Sequence, residues 1–206
     1  MRGAITFDVR SNIGGVMADM RAFGDAIADK AIMRALNRAL DQSATATSRE
    51  IRKVYNLRHR TIMGQMDKKK ATRNSLAATL VVGAHRRGRG FVGGSGRIGL
   101  IEFDATWSRR RPGASVKVMV AGGRKMIAHS FITTVRSGAF AGYRGVAIRK
   151  YLNQKGERSF VFLRGMSIPQ SFLNAKVQKA VKTVARESFE KNFAQQVRHL
   201  TGRAAD

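Results

Sequence analysis

The chain has 206 residues, with 39 Lys plus Arg against 13 Asp plus Glu, a formal net charge of +26 and a sequence pI near 11.7. Hydrophobic residues make up 43% and aromatics 7%; that composition can bury a core and excludes a disordered chain, while the charge calls for a polyanion or an acidic protein surface where the protein works. Cysteine is absent, which excludes disulfides and thiolate metal sites and fits a reducing compartment.

The simplest organisation is a single domain over 1–206. The opening MRGAITFDVRSNIGGVM carries no apolar run of signal-peptide length, and no segment approaches about 18 consecutive apolar residues. A soluble, cytoplasmic protein without a membrane partner is therefore expected. Along the chain, Ile5, Phe7 and Val9 alternate with Thr6 and Asp8, the period-2 signature of a strand. Val16, Met20, Phe23 and Ile27 then predict a helix running, past the weak point at Gly24, almost continuously into the next element.

That element, Asp29 to Leu57, contains no Gly or Pro. Ile32, Leu36, Leu40, Ala44, Ile51 and Val54 or Tyr55 recur at helical spacing, and Ala39 and Ala46 leave room for a close neighbour. The stretch predicts one long amphipathic helix of roughly 45 Å, long enough to brace other elements or another subunit. Thr61 to Met66 adds a helical turn or two before a break near Gly64. Ser75 to Gly83 reads as a strand, and the Gly- and Arg-rich His85 to Gly99 as an exposed loop.

Further strands are expected at Leu100 to Trp107, Ser115 to Ala121, Ile127 to Val135, Gly145 to Arg149 and Ser159 to Leu163. Ser167, Pro169 and Gln170 supply a cap, an early Pro and a capping-box Gln for a last helix, whose stripe is Leu173, Val177, Val181, Val184, Phe189, Phe193, Val197 and Leu200. The fold class is α+β: a long N-terminal helix, an antiparallel strand-rich middle forming a sheet or partly rolled barrel, and a long C-terminal helix. Ile32, Leu36, Leu40, Ile51, Val54, Leu173, Val177, Val181 and Val184 are expected at helix packing or a subunit interface, with the methionines as adaptable packing residues.

The chemistry lies in the basic segments. Arg58, Arg60, Lys68, Lys69, Lys70, Arg73, Arg86, Arg87, Arg89, Arg109, Arg110 and Arg111 can neutralise phosphates in a salt-dependent way, or face an acidic protein neighbour. No base-reading motif accompanies them, so contact with nucleic acid would be nonspecific in sequence. Gly88, Gly90 and Gly93 fit G-x-G-x-x-G, but no helix follows and the surrounding glycines show compositional bias. The histidines His59, His85, His129 and His199 are scattered. His129 and Ser130 adjoin without forming a nucleophile pair, and Glu102 and Asp104 suit pairing with arginines better than acid–base work. No catalytic residue, metal site or cofactor is expected.

Four pieces together carry a family resemblance: A-x-x-R-A-L-N-R-A with Asn37 and Arg38, S-R-E-I-R-K from Ser48, G-R-K-M-I-A-H-S-F-I ending at Ile132, and I-P-Q-S-F from Ile168. Over roughly Asp29 to Leu57 and Val118 to Leu200 the chain resembles the prophage minor tail protein Z family, tail completion proteins of long-tailed bacteriophages of the lambda type. The resemblance implies a non-enzymatic virion protein at the head–tail junction, assembled in the host cytoplasm. It also implies a homo-oligomeric ring around the DNA channel, meeting other neck and tail proteins such as the tail terminator and head–tail connector, and packaged DNA. Sixfold symmetry would match such tails, although the sequence itself gives no copy number. The bulk charge alone supports a second reading, a free, sequence-nonspecific nucleic-acid-binding protein.

Overall fold

A computed structural model describes residues 5–8, 25–83, 97–110, 112–138, 141–149 and 159–202. The chain folds as α+β: two long helices, and between them in sequence a run of short antiparallel strands in several small sheets, none of them closed. The antiparallel strand-rich middle is as expected, in the sheet form: among the described residues no sheet closes.

Helix α1 spans Asp25–Val54. It joins the expected Val16 to Ile27 helix to the Asp29 stretch without a break from Asp25 on, and stops before Leu57, because Tyr55 is drawn into an antiparallel bridge with Met119. The upstream part of the helix expected from Val16 lies outside the described residues. Two adjacent rows of α1 are buried, one large (Ile32, Leu36, Leu40) and one small (Ala31, Ala35, Ala39, Ser43, Thr47). The buried hydroxyls cost little. Ser43 Oγ donates to Ala39 O at 2.7 Å and Thr47 Oγ1 to Ser43 O at 2.8 Å, so each is satisfied within the helix.

A small-residue row lets a second helix approach closely. That helix is the last in the chain. Arg38 on α1 donates to Gln195 at 3.4 Å, and Gln42 accepts from Asn192 at 3.2 Å; as one number rises the other falls, so the two helices run antiparallel. One hydrophobic core joins α1 to Val177, Val181, Phe189 and Phe193 of the partner helix and to strand residues such as Leu80, Val82, Ile98 and Val146. Phe189 and Phe193 stack with ring centroids 5.7 Å apart.

After α1 come the short helix α2 (His59–Met63), β2 (Met66–Lys69) and β3 (Thr79–Val82). With β1 (Ile5–Asp8), they give a sheet of order β1-β3-β2. Of the loop expected over 85–99, residues 85–96 lie outside the described set; its last three, Arg97–Gly99, form β4, which pairs with β10 (Arg164–Ser167), and Ile98 is fully buried. Leu100 to Trp107 is not a strand. Leu100–Glu102 makes one 3-10 turn, which brings Leu100 and Phe103 to the core together, and only Thr106 bridges, to Ser115.

The strand expected over Ile127 to Val135 is two strands. β6 (Lys125–Ala128) pairs with β5 (Gly113–Val116), and β7 (Ser130–Thr134) leaves for a different sheet, β7-β8-β9, with β8 at Arg144–Arg149 and β9 at Phe160–Phe162. His129 makes the corner with φ of 57°. The buried Ser130 hydroxyl holds it, donating to Ile127 O at 2.6 Å and accepting from Ala114 N at 2.9 Å.

The last helix is also interrupted. Ser167 Oγ accepts from Gln170 N at 3.3 Å and starts α3 (Ile168–Phe172), but a second helix, α4 (Ala175–Gly202), begins anew after Asn174, whose Oδ1 accepts from Lys176 N at 3.0 Å. Leu173 falls in the break and is 61% exposed among the described residues, outside the buried row. The buried row of α4 is Val177, Val181, Ala185 and Phe189, with Val184 half-buried beside it.

Candidate polyanion-binding surface

The face of α1 opposite the core carries Arg34, Arg38, Arg49 and Arg52, all exposed. At its end, cations collect: Arg49, Arg52 and Lys53, then Arg58 and Arg60 where α2 starts. The negative end of the helix macrodipole favours charge of this sign, so part of the cluster is explained by α1 itself. Ser48 Oγ and His59 Nδ1, 2.7 Å apart, tie α2 back onto α1 and fix where Arg58 and Arg60 emerge.

A second group is placed by Asn37. Its Oδ1 accepts from Ala71 N at 2.8 Å and its Nδ2 donates to Ala71 O at 3.1 Å, so one amide side chain clamps the backbone just beyond β2 onto α1. Lys68, Lys69 and Lys70, just before the clamped residue, are exposed, as is Arg73 on the Thr72–Ser75 turn that follows. Lys68 is drawn to Asp41 of α1. Arg109 and Arg110 are exposed in a separate turn; Arg111, like Arg86, Arg87 and Arg89, lies outside the described residues.

Acidic neighbours among the described residues neutralise this surface only in part. Among the described residues, Asp41 pairs with Lys68, Glu50 with Lys53, Asp104 with Arg124 and Glu190 with Arg186. Glu102 accepts from Thr61 Oγ1 at 2.6 Å. Each exposed pair contributes only about 0–1 kcal/mol, but each also takes a carboxylate out of reach. Arg49, Arg52, Arg58, Arg60, Lys69, Lys70 and Arg73 form no ion pair among the described residues. The loop-centred reading missed the α1 arginines, although their spacing of about one or several helical turns, opposite the apolar stripe, is present in the sequence.

Where α1 meets α4 a cleft of about 510 Å³ is lined by Arg34, Asn37, Arg38, Gln195, Gln196 and His199. Gln196 is only 5% exposed, and its Oε1 has no hydrogen-bond partner among the described residues. Glu102 and Asp104 turn to different partners, Ser130 is buried and doubly bonded, and among the described residues no three His, Asp or Glu side chains gather as a metal site. Burial raises the Tyr143 phenol above its ordinary value of 10.0; Arg164 opposes the shift and Glu102 adds to it.

A family model described as Prophage minor tail protein Z (GPZ) matches residues 17–202 of the chain. Searches of curated proteins and of solved structures gave no match. No helix among the described residues is long and apolar enough to cross a membrane.

Proposed function

Because this chain belongs to the prophage minor tail protein Z family and is thus a phage minor tail protein, a component of the virion tail, we propose that it completes the tail at the head–tail junction. In this reading several copies form a ring around the DNA channel and no chemical step is assigned to them. The whole chain acts as one unit. The observation that carries the reading is the only partly neutralised basic surface along α1, α2 and the segment after β2, which suits a place where DNA passes.

The charge also sets a limit. Duplex DNA carries one phosphate charge per about 1.7 Å, so the ~45 Å length of α1 spans about 26 phosphates, no more than the +26 of one subunit. DNA in the bore can offset about one copy. A ring therefore needs acidic protein neighbours as well, and the basic residues named above divide between the two. The α1–α4 pair, Ile32, Leu36, Leu40, Ile51 and Val54 against Val177, Val181 and Val184, serves as the rigid brace on which those contacts are mounted.

Imaging of particles made without this protein tests the proposal: heads and tails that fail to join are expected, and normal tailed, infectious virions would overturn it. The alternative, a free nucleic-acid-binding protein, predicts that the particles form normally while the isolated chain binds duplex DNA with an affinity that falls steeply with salt.

A further inference from the structure

A second cleft, of about 630 Å³, lies away from the basic surface, between the segment at Ala105–Trp107 and strand β7. One wall is the edge of strand β7, and the other is the irregular segment around the single bridge at Thr106. Thr106 exchanges both backbone hydrogen bonds with Ser115, each 2.8 Å, as a single bridge. On β7, Val135 N donates to Tyr143 O at 2.8 Å, which directs residues 135, 133 and 131 toward β8 and leaves the N–H and C=O groups of Ile132 and Thr134 on an edge that no other strand among the described residues covers. Ala105, Trp107, Ile132 and Thr134 all line the cleft.

The rest of the lining selects a charge. Arg136 and Arg144 stand in it, both exposed, with no carboxylate among the lining residues. The nearest acid along the chain, Asp104, is held by Arg124, whose Nη1 also donates to Thr106 Oγ1 at 3.2 Å. Trp107, 40% exposed, and Ile132 supply apolar surface between the two walls.

We infer that this cleft docks an extended, acidic segment of a partner polypeptide, which adds a strand to the β7 edge and sets its carboxylates on Arg136 and Arg144. A peptide is favoured over a nucleic acid by the β7 edge itself: it offers donors and acceptors in alternation, and phosphates could answer only the donors. A second copy is disfavoured, since it brings its own +26 charge. The inference stands on the cleft and does not require the ring or the DNA channel.

Trp107 is the only tryptophan of the chain, so its emission reports on this cleft alone. The full-length protein is titrated with an acidic heptapeptide of alternating Asp or Glu and Val. Matched titrations use the same peptide N-methylated at alternate residues, and an oligothymidylate of equal charge. A saturable change in Trp107 emission is expected with the first peptide, weakened about tenfold by N-methylation and about tenfold by the Arg136→Ser, Arg144→Ser double substitution. Both positions are exposed, and circular dichroism of the double variant verifies its fold. Equal binding of the N-methylated peptide, no saturable change, equal or tighter binding of the oligothymidylate at Trp107, or an emission change driven by self-association would each overturn the inference.

Discussion

Leu36→Ala separates the two helix stripes most clearly. Leu36 is 1% exposed, in the large row of α1 within the core shared with α4. Truncating it removes apolar burial and leaves a cavity, since the backbone on either side is locked in helix. Buried Leu→Ala changes cost about 2–5 kcal/mol, so a loss of about 3 kcal/mol is expected. For a chain of this size that lowers the melting midpoint by about 6–12 °C. Leu173→Ala is the control: it removes the same atoms from a side chain that is 61% exposed, and should change stability by no more than about 0.5 kcal/mol. Urea unfolding followed by far-ultraviolet circular dichroism measures both, with an unchanged m-value showing that the denatured state is not what moved. The packing argument fails if the two variants lose similar stability, or if Leu36→Ala falls within about 1 kcal/mol of the parent.

The glycines give a second contrast. A Cβ on Gly113 would stand 2.0 Å from Ile127 O, a backbone atom, whereas one on Gly123 meets nothing within 4 Å; Gly113→Ala should cost about 1–3 kcal/mol in thermal unfolding and Gly123→Ala about 0.5 kcal/mol at most. Replacing Arg52, Arg58 and Arg60 by Gln should reduce the slope of log affinity for duplex DNA against log salt by up to about 0.9 per contact removed, read by fluorescence anisotropy; an unchanged slope removes these three from the surface. For Tyr143 the folded phenol holds its proton more tightly than the unfolded one. Stability from this group is therefore intact below 10.0 and is lost as pH climbs through the raised value. Melting midpoints across that window should fall less steeply in Tyr143→Phe than in the parent.

Local signals carried the parts of the fold that local physics decides. Thirty residues without Gly or Pro and with an i, i+4 apolar repeat leave α1 no competitor, and Ser167 with Pro169 marks a helix start by its caps. Errors arose where a distant contact overrode the local pattern. Tyr55 leaves α1 to bridge Met119, and alternation through Ile127 to Val135 hides a one-residue corner because His129 takes a left-handed conformation, uncommon for any residue other than glycine. Leu173 continues the apolar repeat but loses to Asn174, whose side chain opens a new helix.

The candidate surface was half visible. Lysine and arginine runs in loops are conspicuous, whereas the α1 arginines are separated by whole helical turns and merge into a face only once the helix is drawn. The clamp by Asn37 on Ala71 and the strand-edge cleft depend on pairings between residues far apart in the chain, which no window of sequence contains.

Cryo-electron microscopy of intact virions at a resolution that shows helices tests the central proposal most directly. Several copies should encircle the channel at the head-proximal end of the tail, with the Arg34 to Arg60 face of α1 and α2 turned toward DNA density or toward acidic neighbours. Density for this chain at the distal tip, its absence from the particle, or a position with that face turned to bulk solvent would contradict the account.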